Sequence, residues 1–254
     1  MKKIRVISRI DIKNEYAIKG IHLEGLRKIG NPNEMALNYY KNGIDEIVLM
    51  DAVAALYDRN SLKDVIEKAT QNIFIPITVG GGIRSLDDIQ DILNAGADKV
   101  AINTQAIKDP NFITEASKKF GSQCIVASVV AKQIGENSWE AYVDNAREPT
   151  GVNVLEWVKR VEELGAGEIM LTSIDKEGTK RGFDIKLNKL VSEITTLPTI
   201  SSGGAGSCED IIELCKNADI DAVALASILH YKISTIDEIK QTLLKNEIEV
   251  RADA

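Results

Sequence analysis

The chain has 254 residues, of which 44% are hydrophobic and only 5% aromatic, with a formal net charge of −7 and a pI near 5.1. That acidic balance excludes a general nucleic-acid or anionic-membrane binder, which needs a basic surface, so any phosphate must be held by local geometry. Cys124, Cys208 and Cys215 are far apart and lack metal-like pair spacing, so neither a disulfide framework nor a metal site is expected, nor any cofactor.

From the N-terminus, the basic start MKK gives way within a few residues to Arg9 and Asp11. No apolar run there is long enough for a signal peptide or a membrane span, and a cytoplasmic protein is expected. Eight short β-branched runs follow in order: residues 4–10, 46–51, 75–80, 98–103, 123–130, 168–173, 198–203 and 221–227. Amphipathic stretches such as NEMALNYYKNG, SLDDIQDILNAG and NVLEWVKRVEELGAG separate them, opening on Ser, Asn or acidic caps and often closing on Gly. Such alternation implies right-handed βαβ units, and Val, Ile, Leu and Ala suit parallel strands buried on both faces.

An internal repeat chooses between an open sheet and a closed barrel. Pro76, Gly81-Gly82, Ser85 and Asp88-Ile89 correspond at one constant offset to Pro198, Gly203-Gly204, Ser207 and Asp210-Ile211. Each half is then four βα units, and no GxGxxG turn follows Ile10, as a dinucleotide-binding sheet would require. The expected fold is α/β: a single (β/α)₈ TIM barrel spanning 1–254, with halves near 1–122 and 123–250. Residues 131–149 suggest a small β-hairpin inserted after the fifth strand. Residues 12–31 read as a long first βα loop, a lid carrying Lys13 and Lys19.

In barrels of this kind chemistry sits at the C-terminal strand ends. Gly80-Gly81-Gly82 and Gly203-Gly204-Ala205-Gly206 follow strands and lead into helix starts, where bare backbone N–H groups can face phosphate. Asn103-Thr104 and Ala226-Ser227 end the next strand in each half, completing two opposed phosphate cradles. Asp11, at the end of the first strand, is a candidate general acid or base, and Asp51 a weaker one. Asp175 and Glu177 follow the sixth strand, and the lone His22 and His230 suit surface or packing roles.

The stretches PITVGGGIRS, GADKVAINT, FGSQCIV, GAGEIMLTSID with EGTKRGFD, and SSGGAG make the whole chain resemble the cyclase subunits of imidazole glycerol phosphate synthase, the HisF family. The resemblance implies a lyase-cyclase of histidine biosynthesis. Such an enzyme takes a bisphosphate aminoimidazole carboxamide ribonucleotide and ammonia from a glutaminase (HisH-type) partner subunit, and releases imidazole glycerol phosphate. It implies substrate and phosphate contacts at Gly82, Asn103, Thr104, Gly178, Gly204, Ala226 and Ser227, with Asp51 and Glu177 at the same site. It further implies a lid lysine at Lys19, a first catalytic aspartate at Asp11, an ammonia gate of Arg5, Glu46, Lys99 and Glu168, and a docking carboxylate at Asp98.

One departure is chemical. Where the family pattern calls for a second catalytic aspartate on the fifth strand, this chain has Val130, and the repeat pairs Asp11-x-Lys13 with Val130-x-Lys132. Valine moves no proton, and such help is typically worth about 10² to 10⁴-fold. Arg9 is a second change: alternation puts residues 5, 7, 9 and 11 on one face, the barrel interior, where a guanidinium needs a partner such as Asp11 or Asp51. Three readings follow. The chain is the pathway cyclase, a paralogue giving ammonia to another acceptor (amidination in nucleotide-sugar or surface-polysaccharide synthesis), or a non-catalytic ammonia-conducting scaffold.

Overall fold

The computed structural model describes residues 2–53 and 63–251. Its elements in chain order are β1 (Arg5–Lys13), β2 (Tyr16–Ile21), β3 (Glu24–Gly30), α1 (Pro32–Lys41), β4 (Glu46–Asp51), α2 (Lys63–Thr70), β5 (Ile77–Gly80), α3 (Leu86–Asn94), β6 (Lys99–Ile102), α4 (Thr104–Lys108), α5 (Asn111–Phe120), β7 (Ile125–Gly135), β8 (Ser138–Val143), β9 (Glu148–Asn153), α6 (Val154–Glu163), β10 (Glu168–Ser173), α7 (Ile185–Ile194), β11 (Thr199–Ser202), α8 (Cys208–Asn217), β12 (Ala222–Leu225), α9 (Ser227–His230) and α10 (Ile236–Lys245). The strands β1, β4, β5, β6, β7, β10, β11 and β12 pair in parallel, and β7 pairs with β10, so the sheet closes on itself. These are the eight apolar runs of the sequence, and the fold is the expected (β/α)₈ barrel.

Two separate cores explain why the strands are apolar on both faces. One large cluster lies between sheet and helices, joining residues such as Ile10, Leu49 and Val100 to Ile66, Ile89 and Ile239. The smaller one fills the barrel axis with Ile7, Val48, Ala101, Val126, Met170, Ile200, Ala222 and Ala224, with Met50 packed against it. Below this apolar layer the strands begin, and above it they end at the mouth.

Matching local devices hold both halves. Ser85 caps α3 in a capping box with Asp88, and Ser207 caps α8 with Asp210; each carboxylate also accepts the amide of the preceding residue, Arg84 or Gly206. Each such cap is worth about 1 kcal/mol. Carboxylates also clamp strand starts: Asp45 accepts from Val6 N at 2.6 Å, Asp98 from Ile77 N at 2.8 Å and Asp221 from Thr199 N at 2.8 Å. Gly167 stands where the repeat of Asp45 falls, because a Cβ there would lie 2.1 Å from the Ser122 carbonyl oxygen.

Two segments leave the barrel pattern. Residues 12–31, read from sequence as a loop, contain the hairpin β2–β3, which extends β1 through the pairs Asp11–Ile18 and Lys13–Tyr16. Its turn bears left-handed backbone at His22 and Leu23, φ 54° and 63°, residue types that give no turn signal. β7 runs beyond the barrel into antiparallel pairing with β8, and β8 with β9. The buried Trp139 of β8 donates from Nε1 to Asp184 at 3.0 Å, and Asp184 caps α7, so this excursion is tied to the barrel wall.

Candidate active site

The mouth is built twice. Gly81 and Gly82 have φ of 101° and 72°, Gly203 and Gly204 of 95° and 116°. A Cβ on Gly81 would sit 2.3 Å from the Asp51 carbonyl oxygen, and one on Gly204 2.1 Å from that of Gly182, so only glycine fits either turn. Asn103 and Ala226 then share an uncommon backbone, φ −121°, ψ −82° and φ −128°, ψ −83°, and neither side chain caps the short helix that follows. The first-half cradle opens into a cavity of about 120 Å³ lined by Arg9, Asp51, Gly81, Gly82, Asn103, Thr104, Val130 and Asn145. The second is a tight pocket of Glu177, Gly178, Gly203, Gly204, Ala226 and Ser227.

Each cradle has its own supports. Asn103 donates to the Ser128 and Tyr142 carbonyls, fixing the excursion after β7 beside the first cradle. Thr104 exchanges hydrogen bonds with Asp144, which opens a turn of three left-handed residues, Asp144, Asn145 and Ala146. Asn145 Nδ2 is buried with no partner among the described residues, a donor at this cavity that sequence reasoning missed because nothing marks it within DNAREPTG. Over the second cradle, β2–β3 brings the buried Lys19 into an ion pair with the buried Glu177, and His22 N donates to the Glu177 carbonyl.

Between the cradles the halves differ. Arg9 points into the barrel, 4% exposed; its Nε donates to Asp11 at 2.9 Å and its Nη1 to Thr172 at 3.0 Å and Ser202 at 3.2 Å. Burial alone would raise the Asp11 carboxyl, but the charges of Arg9 and Lys19 outweigh it and hold Asp11 below the usual carboxylate range. Asp11 is therefore an ionised base and a poor acid. Asp51 lines the first cavity and accepts from Val53 N at 2.9 Å. Val130 packs in a buried cluster with Leu23 and Ile174, so the second half presents apolar surface where the first presents a carboxylate.

His230 is not isolated. Nε2 faces the Arg9 carbonyl at 3.0 Å, which only accepts, so Nε2 donates and Nδ1 accepts from Tyr39 Oη at 2.7 Å. Burial lowers its pKa to about 4, with Lys19 adding to the effect, and burial raises that of Tyr39 to about 12. The neutral ring and the phenol thus pin the β1 backbone at Arg9.

At the opposite end, Arg5, Glu46, Lys99 and Glu168 all sit at strand starts and close into one ring. Arg5 meets Glu46 at 2.9 Å and Glu168 at 2.5 Å, and Lys99 meets the same two at 3.4 and 2.8 Å. Asp98, exposed at the same end, holds Ile77 N through Oδ2. Among the described residues no cluster fits a metal ion and no helix is long and apolar enough to cross a membrane.

The doubled cradle can be set beside known proteins. The family model described as Histidine biosynthesis protein matches residues 5–235. The chain is 53% identical over 210 residues to the imidazole glycerol phosphate synthase subunit HisF of Legionella pneumophila, covering 83% of this chain and 99% of that one. The chain belongs to the HisF family. Two further HisF subunits, from Hydrogenobaculum sp. and Bacillus cereus (strain Q1), are 47% and 44% identical, each over 247 residues covering 97% of this chain and 98% of theirs. The HisF relationship therefore extends over both halves of the barrel and both cradles.

Proposed function

We propose that this chain is the cyclase subunit of an imidazole glycerol phosphate synthase acting in histidine biosynthesis. It converts a bisphosphate aminoimidazole carboxamide ribonucleotide, with ammonia, to imidazole glycerol phosphate, in the cytoplasm and without a cofactor. The observation that carries this is the pair of equivalent glycine cradles facing each other across an ionised carboxylate, in a chain of the HisF family. Gly82, Asn103 and Thr104 hold one phosphate; Gly178, Gly204, Ala226 and Ser227 hold the other, and the chain works as one domain of two halves.

Asp11 removes a proton from the bound substrate, since Arg9 keeps it charged. Lys19, paired with Glu177, carries the β2–β3 hairpin down over the substrate and excludes water. The ring of Arg5, Glu46, Lys99 and Glu168 forms the gate through which ammonia enters, and Asp98 marks the face that a glutaminase subunit covers. A second reading, ammonia transfer to a different acceptor, rests on Val130 alone; the curated relatives do not favour it.

Turnover of the bisphosphate substrate with excess ammonium salt tests the proposal in the native protein and in Val130→Asp. Native turnover supports the cyclase reading and removes the second one. Turnover confined to Val130→Asp would overturn the cyclase reading for the native chain.

A further inference from the structure

Arg9 is left with hydrogen-bonding capacity that the reaction as proposed does not use. A guanidinium carries five N–H donors in a fixed planar fork. Nε and Nη1 are taken by Asp11, Thr172 and Ser202, while Nη2 makes no hydrogen bond to the described residues and is not among their sealed, unpartnered donors, so it is open to the cavity. A charged donor that no protein group matches is left to whatever fills the cavity it faces. Arg9 lines the mouth cavity beside Met50, Ser128 and Val130, with Gly82 and Thr104 of the first cradle on the same walls. The donors of Nη2 therefore belong to the cavity.

The surroundings say what the donors are for. The Asp11 carboxylate already lies on Nε and the Glu177 carboxylate on Lys19, while Asp51 accepts from Val53 N and Asp144 from Thr104, so none of these acids lies on Nη2. A carboxylate at position 130 would reach into the same space, whereas Val130 packs among Leu23 and Ile174 and leaves that wall uncharged. The guanidinium is also held in place from behind, because His230 and Tyr39 fix the β1 backbone at residue 9. A preorganised cationic fork facing an apolar wall is a receptor for an anionic oxygen.

We propose that Arg9 is a substrate-binding residue whose Nη2 edge takes an anionic or strongly polarised oxygen carried on the chain between the two phosphates. This rests on the bisphosphate reading of the mouth and adds its third anchor. The site then favours bisphosphates that carry such an oxygen, as the carboxamide of the proposed substrate does, over those that lack it, with Val130 removing the repulsion that an acid would cause there.

The test compares two probes by calorimetry without ammonia, the proposed bisphosphate substrate and its analogue with hydrogen in place of the carboxamide. The native protein is expected to bind the first at least tenfold more tightly, the worth of one charge-assisted hydrogen bond. In Arg9→Met that ratio falls to within about threefold. Arg9→Lys, whose ammonium remains on Asp11, shows the same fall and serves if the methionine variant does not fold. Equal binding of the two probes by the native protein, or a ratio unchanged in either variant, overturns the proposal while the bisphosphate reading stands. Failure of the native protein to bind either probe overturns both.

Discussion

The two halves of the barrel present nearly the same backbone at the mouth and different chemistry between their cradles. Gly81-Gly82 and Gly203-Gly204 occupy matching left-handed turns, and Asn103 and Ala226 have almost the same dihedral angles. Yet the first half places Arg9 and Asp11 on the axis, and the second answers with Ser128 and Val130. The lesson is that a duplicated fold keeps what binds the symmetric part of a ligand, its two ends, and is free to diverge where the ligand is not symmetric. A barrel with two anchors and one carboxylate is an object with a direction.

The sharpest way to break the comparison is to remove the carboxylate of Asp11. Asp11→Asn is expected to lower kcat by about 10² to 10⁴-fold with the KM for the bisphosphate changed far less, since the cradles are separate from it. A loss confined to KM would mean that Asp11 only positions. Next, Gly81→Ala and Gly204→Ala should each cost about 1–3 kcal/mol of stability, read as a drop in Tm, because each forces a Cβ into a backbone oxygen at a positive φ. In both variants phosphate binding should fail in the altered half alone.

The His230 support titrates with a definite sign. Its folded pKa, about 4, lies below the ordinary histidine value, so the unfolded chain takes up the proton first. Its contribution is complete above about pH 6.5 and is lost as the pH falls toward 4, with about 2 kcal/mol gone by pH 5. Denaturation midpoints against pH should show this slope in the native protein and a flatter one in His230→Gln. The smallest effect on the mouth is expected from the far end of the barrel. There Lys99→Met leaves the buried Glu46 and Glu168 on Arg5 and should lower Tm, with bisphosphate affinity unchanged within error in a titration. A large change in affinity would show that the two ends are coupled.

The barrel was legible because each of its eight strands is a short apolar run and because the repeat survives at residues that backbone geometry dictates, Gly81, Gly204, Ser85 and Ser207. The cradles were legible for the same reason. What stayed hidden depends on side chains meeting across the sheet. The β2–β3 hairpin turns at His22-Leu23, residue types that rarely mark a turn, and so its segment reads as a loop. The use of His230 as a brace appears only when α9 brings it against β1, far away in sequence. Alternation along β1 did place Arg9 inside and beside Asp11, but not its unmatched Nη2, and Asp98 gave no sequence sign that one oxygen clamps Ile77.

The most direct test of the twinned mouth is a calorimetric count of anions. Inorganic phosphate should fill two sites per chain, and one equivalent of the bisphosphate substrate, added without ammonia, should displace both together. A single phosphate per chain, or a bisphosphate that displaces only one of two, would contradict the account.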